Sequence, residues 1–181
     1  MLKTKIAVFV SGGGTNFEAL INAQENGKIP HGEIVLMVSS SKTAYALKRA
    51  ENHGIKSVVC SKKELGSQES FEEEILKNLE ENNIQLIVLA GFMSILSKEF
   101  TKKYENRIIN IHPSLIPSFC GEGFYGLHVH EAALKKGVKV TGATVHIVNE
   151  IPDGGPIIMQ RAVYVEENDT PEILQKRVME Q

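Results

Sequence analysis

The chain has no tryptophan, only two cysteines and almost no net charge. Its 20 Lys and Arg against 22 Asp and Glu leave a formal charge of −2 over 181 residues. Overall charge therefore gives no argument for nucleic-acid or anionic-membrane binding, and any anion must be caught by a local site. Cys60 and Cys120 stand far apart and fit neither a zinc-ligand spacing nor a disulfide framework. The first apolar run, Ile6 to Val10, is too short for a signal-peptide core and lacks a cleavage site. The longest apolar stretch, Leu86 to Leu96, is interrupted by Gly91 and Ser94 and cannot span a bilayer. There is no internal repeat and no linker. The expectation is a single soluble, cytoplasmic domain over 1–181, monomeric or homodimeric, with small-molecule substrates and neither nucleic-acid nor membrane partners. The chain ends inside a helical pattern, Glu172 to Gln181, with no stop signal, so its C-terminus reads as cut short.

What is present is an alternation of apolar runs with helix-period segments, the mark of a parallel sheet with crossover helices. Strands are predicted near 5–10, 33–38, 56–60, 85–90 and 107–111, and helices near 16–25, 43–53, 68–81 and 97–104. The third helix is the clearest, with Phe71, Ile75, Leu76 and Leu79 on one face. Residues 113–127 hold too many prolines and glycines for a regular element and read as a long loop. A helix near 128–136 follows, then strands near 139–149 and 157–165 joined through Ile151-Pro152-Asp153-Gly154-Gly155-Pro156 as an antiparallel hairpin. A shift of apolar phase at Gly142 predicts a β-bulge there. The fold class is α/β: a Rossmann-like open, mostly parallel sheet with helices on both faces and an antiparallel C-terminal hairpin.

Ser11-Gly12-Gly13-Gly14-Thr15-Asn16 joins the first strand to the first helix. Such a turn offers backbone N–H groups and a positive helix-dipole end to a phosphate. It is not a dinucleotide fingerprint, because Phe17 stands where the third glycine belongs and the second strand ends in Ser39-Ser40-Ser41 with no acid for a ribose. No lysine follows, which excludes a triphosphate loop. A single phosphomonoester fits best; the alternative is a tight connection with Thr15 or Asn16 as N-cap.

In Asn110-Ile111-His112-Pro113, the period-two spacing sends Asn110 and His112 to one side at the carboxyl end of a strand, where open α/β sheets bind ligands. An amide donor beside an imidazole suits a carbonyl oxygen that becomes tetrahedral and gains charge. The competing reading is a turn-bonding Asn and a packed His. Asp153 reads either as a hairpin-turn residue or as a carboxylate facing His112 and holding it protonated. His128 and His130, two apart on a helix, point to different faces and make no metal pair. One of the two remains a candidate to line the cleft, as does His146 on the penultimate strand. The bend after Gly91, in Leu89-Ala90-Gly91-Phe92-Met93-Ser94-Ile95-Leu96, is suited to wall a flat aromatic ligand.

Taken together, Ser11 to Asn16, Leu89 to Met93, Asn110-Ile111-His112-Pro113-Ser114-Leu115-Ile116-Pro117 and Asp153-Gly154-Gly155-Pro156 resemble the folate-dependent glycinamide ribonucleotide formyltransferases of purine synthesis, collinearly over nearly the whole chain. The resemblance implies transfer of the formyl group of 10-formyltetrahydrofolate, as co-substrate, to the glycyl amine of 5′-phosphoribosylglycinamide. It implies Asn110, His112 and Asp153 as the catalytic trio. Gly14, Thr15 and Asn16, with Met179, Glu180 and Gln181, would bind the phosphoribosylglycinamide. Gln68, Met93, Ser94, Ile95, Leu96, Asn110 and Asn149, Glu150, Ile151, Pro152, Asp153 would line the folate pocket. No metal, nucleoside triphosphate or covalent intermediate is implied.

Three departures stand out. The loop Phe119 to Gly126 is longer than in some members. Gln68 occupies a position where some members place an arginine near the folate tail. The family also continues past Gln181 with a further helix and a Glu near the glycinamide substrate. The rival readings are another formyltetrahydrofolate enzyme (a hydrolase, or a tRNA or sugar-nucleotide formyltransferase) and a non-catalytic phosphosugar-binding module.

Overall fold

The computed structural model describes residues 2–181. The chain divides into two compact units, one running to Ile108 and one from Ile109 to Gln181.

The first unit carries β1 (Thr4–Val10), β2 (Gly32–Ser39), β3 (Lys56–Val59) and β4 (Leu86–Leu89), in the order β3-β2-β1-β4. Every neighbouring pair among them is parallel. Its helices are α1 (Thr15–Glu25), α2 (Ala46–Asn52), α3 (Lys62–Leu65), α4 (Gln68–Glu81) and α5 (Lys98–Lys103). A parallel strand covered on both faces must be apolar throughout, and Ile6 to Val10 of β1 are all buried. One set of side chains, Ile6, Val8 and Val10, packs with Phe17 and Ile21 of α1 and with Ala46 and Ala50 of α2. Of the alternate set, Phe9 meets Phe92 edge-on at 5.1 Å, and Phe92 stacks on Phe71 of α4. Ser67 and Ser97 cap α4 and α5 by accepting the N–H groups of Ser70 and Phe100.

The second unit pairs β5 (Ile108–His112), β6 (Val140–Ile147) and β7 (Ile157–Tyr164) antiparallel, and adds α6 (Leu127–Lys136) and α7 (Pro171–Met179). Its core is Ala133, Ala143, Val163, Leu174 and Val178. The fold class is the predicted one: α/β, with parallel strands first and an antiparallel hairpin at the C-terminal end.

Four details differ from the sequence expectation. The short helix α3 was not anticipated, because one turn shows no hydrophobic period. The helix expected over 43–53 begins only at Ala46. The bulge is not at Gly142, which stays in register opposite Ala162. Glycine stands there because a Cβ would come within 1.9 Å of the Arg161 carbonyl oxygen. The register shifts instead between Val145, opposite Met159, and His146, opposite Ile157, which leaves Ile158 as the extra residue. Finally, neither Thr15 nor Asn16 caps α1. Gly14 occupies the cap position with φ 72° and offers no side chain.

Candidate active site

In the second unit, β5 delivers Asn110 and His112 from its carboxyl end, with Asn110 opposite His146 and His112 opposite Thr144 on β6. Cross-strand partners share a face, so one strand pair places two histidines and an amide together. Asp153 comes from the turn that closes the β6–β7 hairpin and takes φ 53°, a left-handed backbone uncommon for a residue with a side chain. Gly155 beside it admits no Cβ, which would fall 1.9 Å from the Ile147 carbonyl oxygen.

The Asp153 carboxylate is the hub. Its Oδ2 lies 3.4 Å from His112 Nδ1 and accepts the Gly121 N–H at 2.9 Å. Its Oδ1 lies 3.4 Å from His146 Nε2 and 3.5 Å from the Asn110 amide nitrogen, the outer edge of hydrogen-bond reach. Burial pushes the Asp153 carboxyl upward and is the largest single influence. The His146 hydrogen bond, the Gly121 N–H and the charges of His112 and His146 outweigh it and hold the group below its usual value. It is therefore an anion at neutral pH.

His112 is buried, and its Nε2–H donates to the Phe119 carbonyl at 2.8 Å. Its ring thus lies between two acceptors, the Asp153 carboxylate and the Phe119 carbonyl. His146 Nδ1–H donates to the Ile147 carbonyl at 2.9 Å, and its Nε2 lies 3.1 Å from the Asn110 amide nitrogen. A neutral His146 accepts from that amide; a protonated one donates to Asp153. Every donor of the trio is engaged within the protein, and the 119–121 segment accepts one bond at the Phe119 carbonyl and donates one from the Gly121 N–H. A substrate oxygen must compete with Phe119 for His112 and with His146 and Asp153 for Asn110.

In the first unit, the glycine-rich turn separates fold-required glycine from glycine that the fold does not need. Gly14 is left-handed, and a Cβ on it would sit 2.7 Å from Ala46 Cβ. Gly12 and Gly13 are exposed, have ordinary φ and face nothing within 4 Å. The fold itself makes no demand for glycine at these two positions, and their exposed backbone is open to close approach. Arg49 steadies the turn by donating Nε–H to the Gly13 carbonyl at 2.9 Å. Thr15 is exposed and Asn16 half-buried.

The loop after β4 leaves Gly91 at φ 74° and displays Met93 and Ile95, 55% and 72% exposed, while Leu96 is buried. An open apolar edge of this kind fits a flat ring. Gln68 donates to Glu72 Oε1 and to the Ile95 carbonyl. In the second unit Asn149 is half-buried, Glu150, Ile151 and Pro152 are exposed, and Asn149 Oδ1 accepts the Ile151 N–H. Met179, Glu180 and Gln181 are exposed at the end of α7. His128 and His130 part as their spacing implies: His128 pairs with Glu131 in solvent, and His130 is buried. The contributions of Phe119 and Gly121 had no sequence signal, since they act through backbone atoms. That of His146 follows only from strand register.

A formyl transferase family model matches residues 4–181. The chain belongs to the formyl transferase family. It is 48% identical, over 98% of its length, to the chicken trifunctional purine biosynthetic protein adenosine-3, of which it spans 17%. It is 38% identical to the chloroplastic phosphoribosylglycinamide formyltransferase of Arabidopsis thaliana, covering 98% of this chain and 61% of that one. The crystal structure of phosphoribosylglycinamide formyltransferase from Bacillus halodurans superposes with a TM-score of 0.90 at 41% identity, over 98% of this chain and 88% of that one. The chain thus spans less than two thirds of the length of either curated relative. Among the described residues, no helix is long and apolar enough to cross a membrane.

Proposed function

We propose that the chain acts as a single formyltransferase domain that moves the formyl group of 10-formyltetrahydrofolate to the glycyl amine of 5′-phosphoribosylglycinamide. The observation that carries this reading is the convergence of Asn110, His112 and His146 on the Asp153 carboxylate at a strand's carboxyl end.

Attack of the amine on the formyl carbon forms one C–N bond and places negative charge on the formyl oxygen; the bond from that carbon to N10 of the folate then breaks. Asn110 and a protonated His112 are the donors for that oxygen. Asp153, anionic and beside His112, orients the imidazole and organises a water that carries the proton from the attacking amine to N10. In the first unit Gly14, Thr15 and Asn16 take the 5-phosphate at the uncapped N-terminus of α1, and in the second Met179, Glu180 and Gln181 are assigned to the glycinamide. In the first unit Met93, Ser94, Ile95 and Leu96 are the residues assigned to the folate, and in the second Asn149 to Asp153. Holding two substrates in register supplies much of the acceleration. The composition supports a cytoplasmic enzyme, and chloroplastic relatives make fractionation the direct check.

The test mixes the protein with both substrates and follows release of deformylated folate together with formylation of the amine. Release that requires the phosphoribosyl amine is expected. Release without it would point to a hydrolase, and no release would overturn the proposal.

A further inference from the structure

One buried carboxylate has no part in the chemistry above. Glu72 on α4 is 8% exposed, yet all its bonds go to one loop and its neighbour. Its Oε1 accepts the Ser97 N–H at 2.6 Å and a Gln68 amide hydrogen at 2.5 Å, and its Oε2 accepts the Ser97 hydroxyl at 2.5 Å. Gln68 spends its other amide hydrogen on the Ile95 carbonyl at 3.1 Å. Both its N–H donors are therefore used, and only an acceptor oxygen remains for anything outside.

The opposite end of the loop is pinned as well. The Met93 N–H donates to Ser11 Oγ at 2.8 Å, the Ser11 N–H donates to the Gly91 carbonyl at 3.0 Å, and Phe92 is stacked on Phe71. Between these anchors Met93 and Ile95 stay out in solvent. Burying a carboxylate is costly unless it is well satisfied, and here three short bonds, two from Ser97 of the loop and one from Gln68 on the same helix, offset that cost. A capping serine alone closes α5, so the added carboxylate and amide serve the residues before it. An exposed apolar edge held this firmly loses little conformational entropy when a ligand covers it.

We propose that Glu72 and Gln68 are positioning residues for folate binding: they fix the 93–97 loop as a preformed apolar wall, and Gln68 acts as a strut rather than as a ligand for the folate's glutamate tail. This rests on the formyltransferase reading and assigns that site its rigid edge. Anchoring of a ground-state contact affects binding uniformly, so KM should move and kcat should not.

The variants are Glu72→Ala, Gln68→Ala and the conservative Glu72→Gln. The readouts are steady-state kinetics, calorimetric binding of 10-formyltetrahydrofolate with one and with several glutamates, and amide hydrogen exchange over 93–97. Glu72→Ala and Gln68→Ala are expected to raise KM and Kd for the folate about tenfold, by the same factor for short and long tails. The KM for phosphoribosylglycinamide and kcat should stay within about twofold. Protection of the 93–97 amides should fall, and Glu72→Gln should restore most of the affinity. A tail-dependent loss in Gln68→Ala overturns the strut. Unchanged folate affinity in Glu72→Ala, or in Gln68→Ala where Glu72→Ala fails to fold, overturns the inference alone. Wild-type protein that binds no 10-formyltetrahydrofolate overturns the proposed function and the inference with it.

Discussion

The glycine-rich turn and the Asp153 cluster are built on opposite principles. The turn offers backbone: an uncapped helix N-terminus, and two glycines that nothing in the fold demands. The cluster offers side chains, and its donors and both Asp153 oxygens are already engaged within the protein. A backbone site is open by default and gains specificity from what fits against it. A side-chain site is closed on itself and must exchange internal hydrogen bonds for substrate. Substitutions at the turn should therefore act on binding, and substitutions in the cluster on turnover.

The largest break in that contrast should come from the cluster. His112→Ala and Asp153→Asn are each expected to lower kcat about 1,000-fold, while the KM of either substrate moves less than about fivefold. Steady-state assays on variants checked for folding by circular dichroism would decide it. Near-wild-type turnover in either variant would show that the cluster is a packed polar core.

At the turn the effects divide. Gly14→Ala should cost about 2 kcal/mol of stability, because it combines a left-handed φ with a 2.7 Å approach to Ala46 Cβ. Gly12→Ala and Gly13→Ala should leave stability within about 0.5 kcal/mol. If the phosphate also rests on these peptides, both should weaken phosphoribosylglycinamide binding about tenfold with kcat unchanged. Urea melts and titration of the three variants separate fold from binding. Unaltered affinity in Gly12→Ala and Gly13→Ala would confine the phosphate to the Gly14–Asn16 end of the turn.

The two regions also differed in how far they could be read beforehand. Strand and helix positions followed from period, because β1 is apolar on both faces and α4 carries Phe71, Ile75 and Leu79 on one. The turn was legible as a place, since glycine runs at a strand-to-helix junction have few structural uses. The cluster was legible only as three residue types, because the approach of Asp153 to His112 depends on strand register and on a left-handed turn residue. The bulge was misplaced for the same reason: Gly142 reads identically as a bulge and as a close strand approach, and only the Arg161 carbonyl distinguishes them. Bonds made through backbone atoms, such as Phe119 to His112, leave no trace in side-chain identity.

A second carboxylate in the same unit sharpens the contrast from the structural side. Asp169 accepts two hydrogen bonds from the Arg177 guanidinium, Oδ2 to Nη1 at 2.5 Å and Oδ1 to Nη2 at 2.7 Å, and also takes the Glu166 N–H at 2.8 Å. Arg177 donates in turn to the Tyr164 carbonyl, which ties α7 to the end of β7. The Arg177 hydrogen bond is the main cause that holds the Asp169 carboxyl below its ordinary value. A depressed pKa contributes stability that is complete above the unfolded value, about 4, and is lost as pH falls through the folded one. Arg177→Met should therefore lower stability at pH 7, and progressively less below about pH 4. Its kcat should stay within about twofold of wild type, unlike that of Asp153→Asn. Denaturant melts of both proteins between pH 7 and pH 3 measure the difference directly. A gap that stays constant across that range would mean that Arg177 stabilises α7 through its packed stem, and that the ion pair contributes nothing.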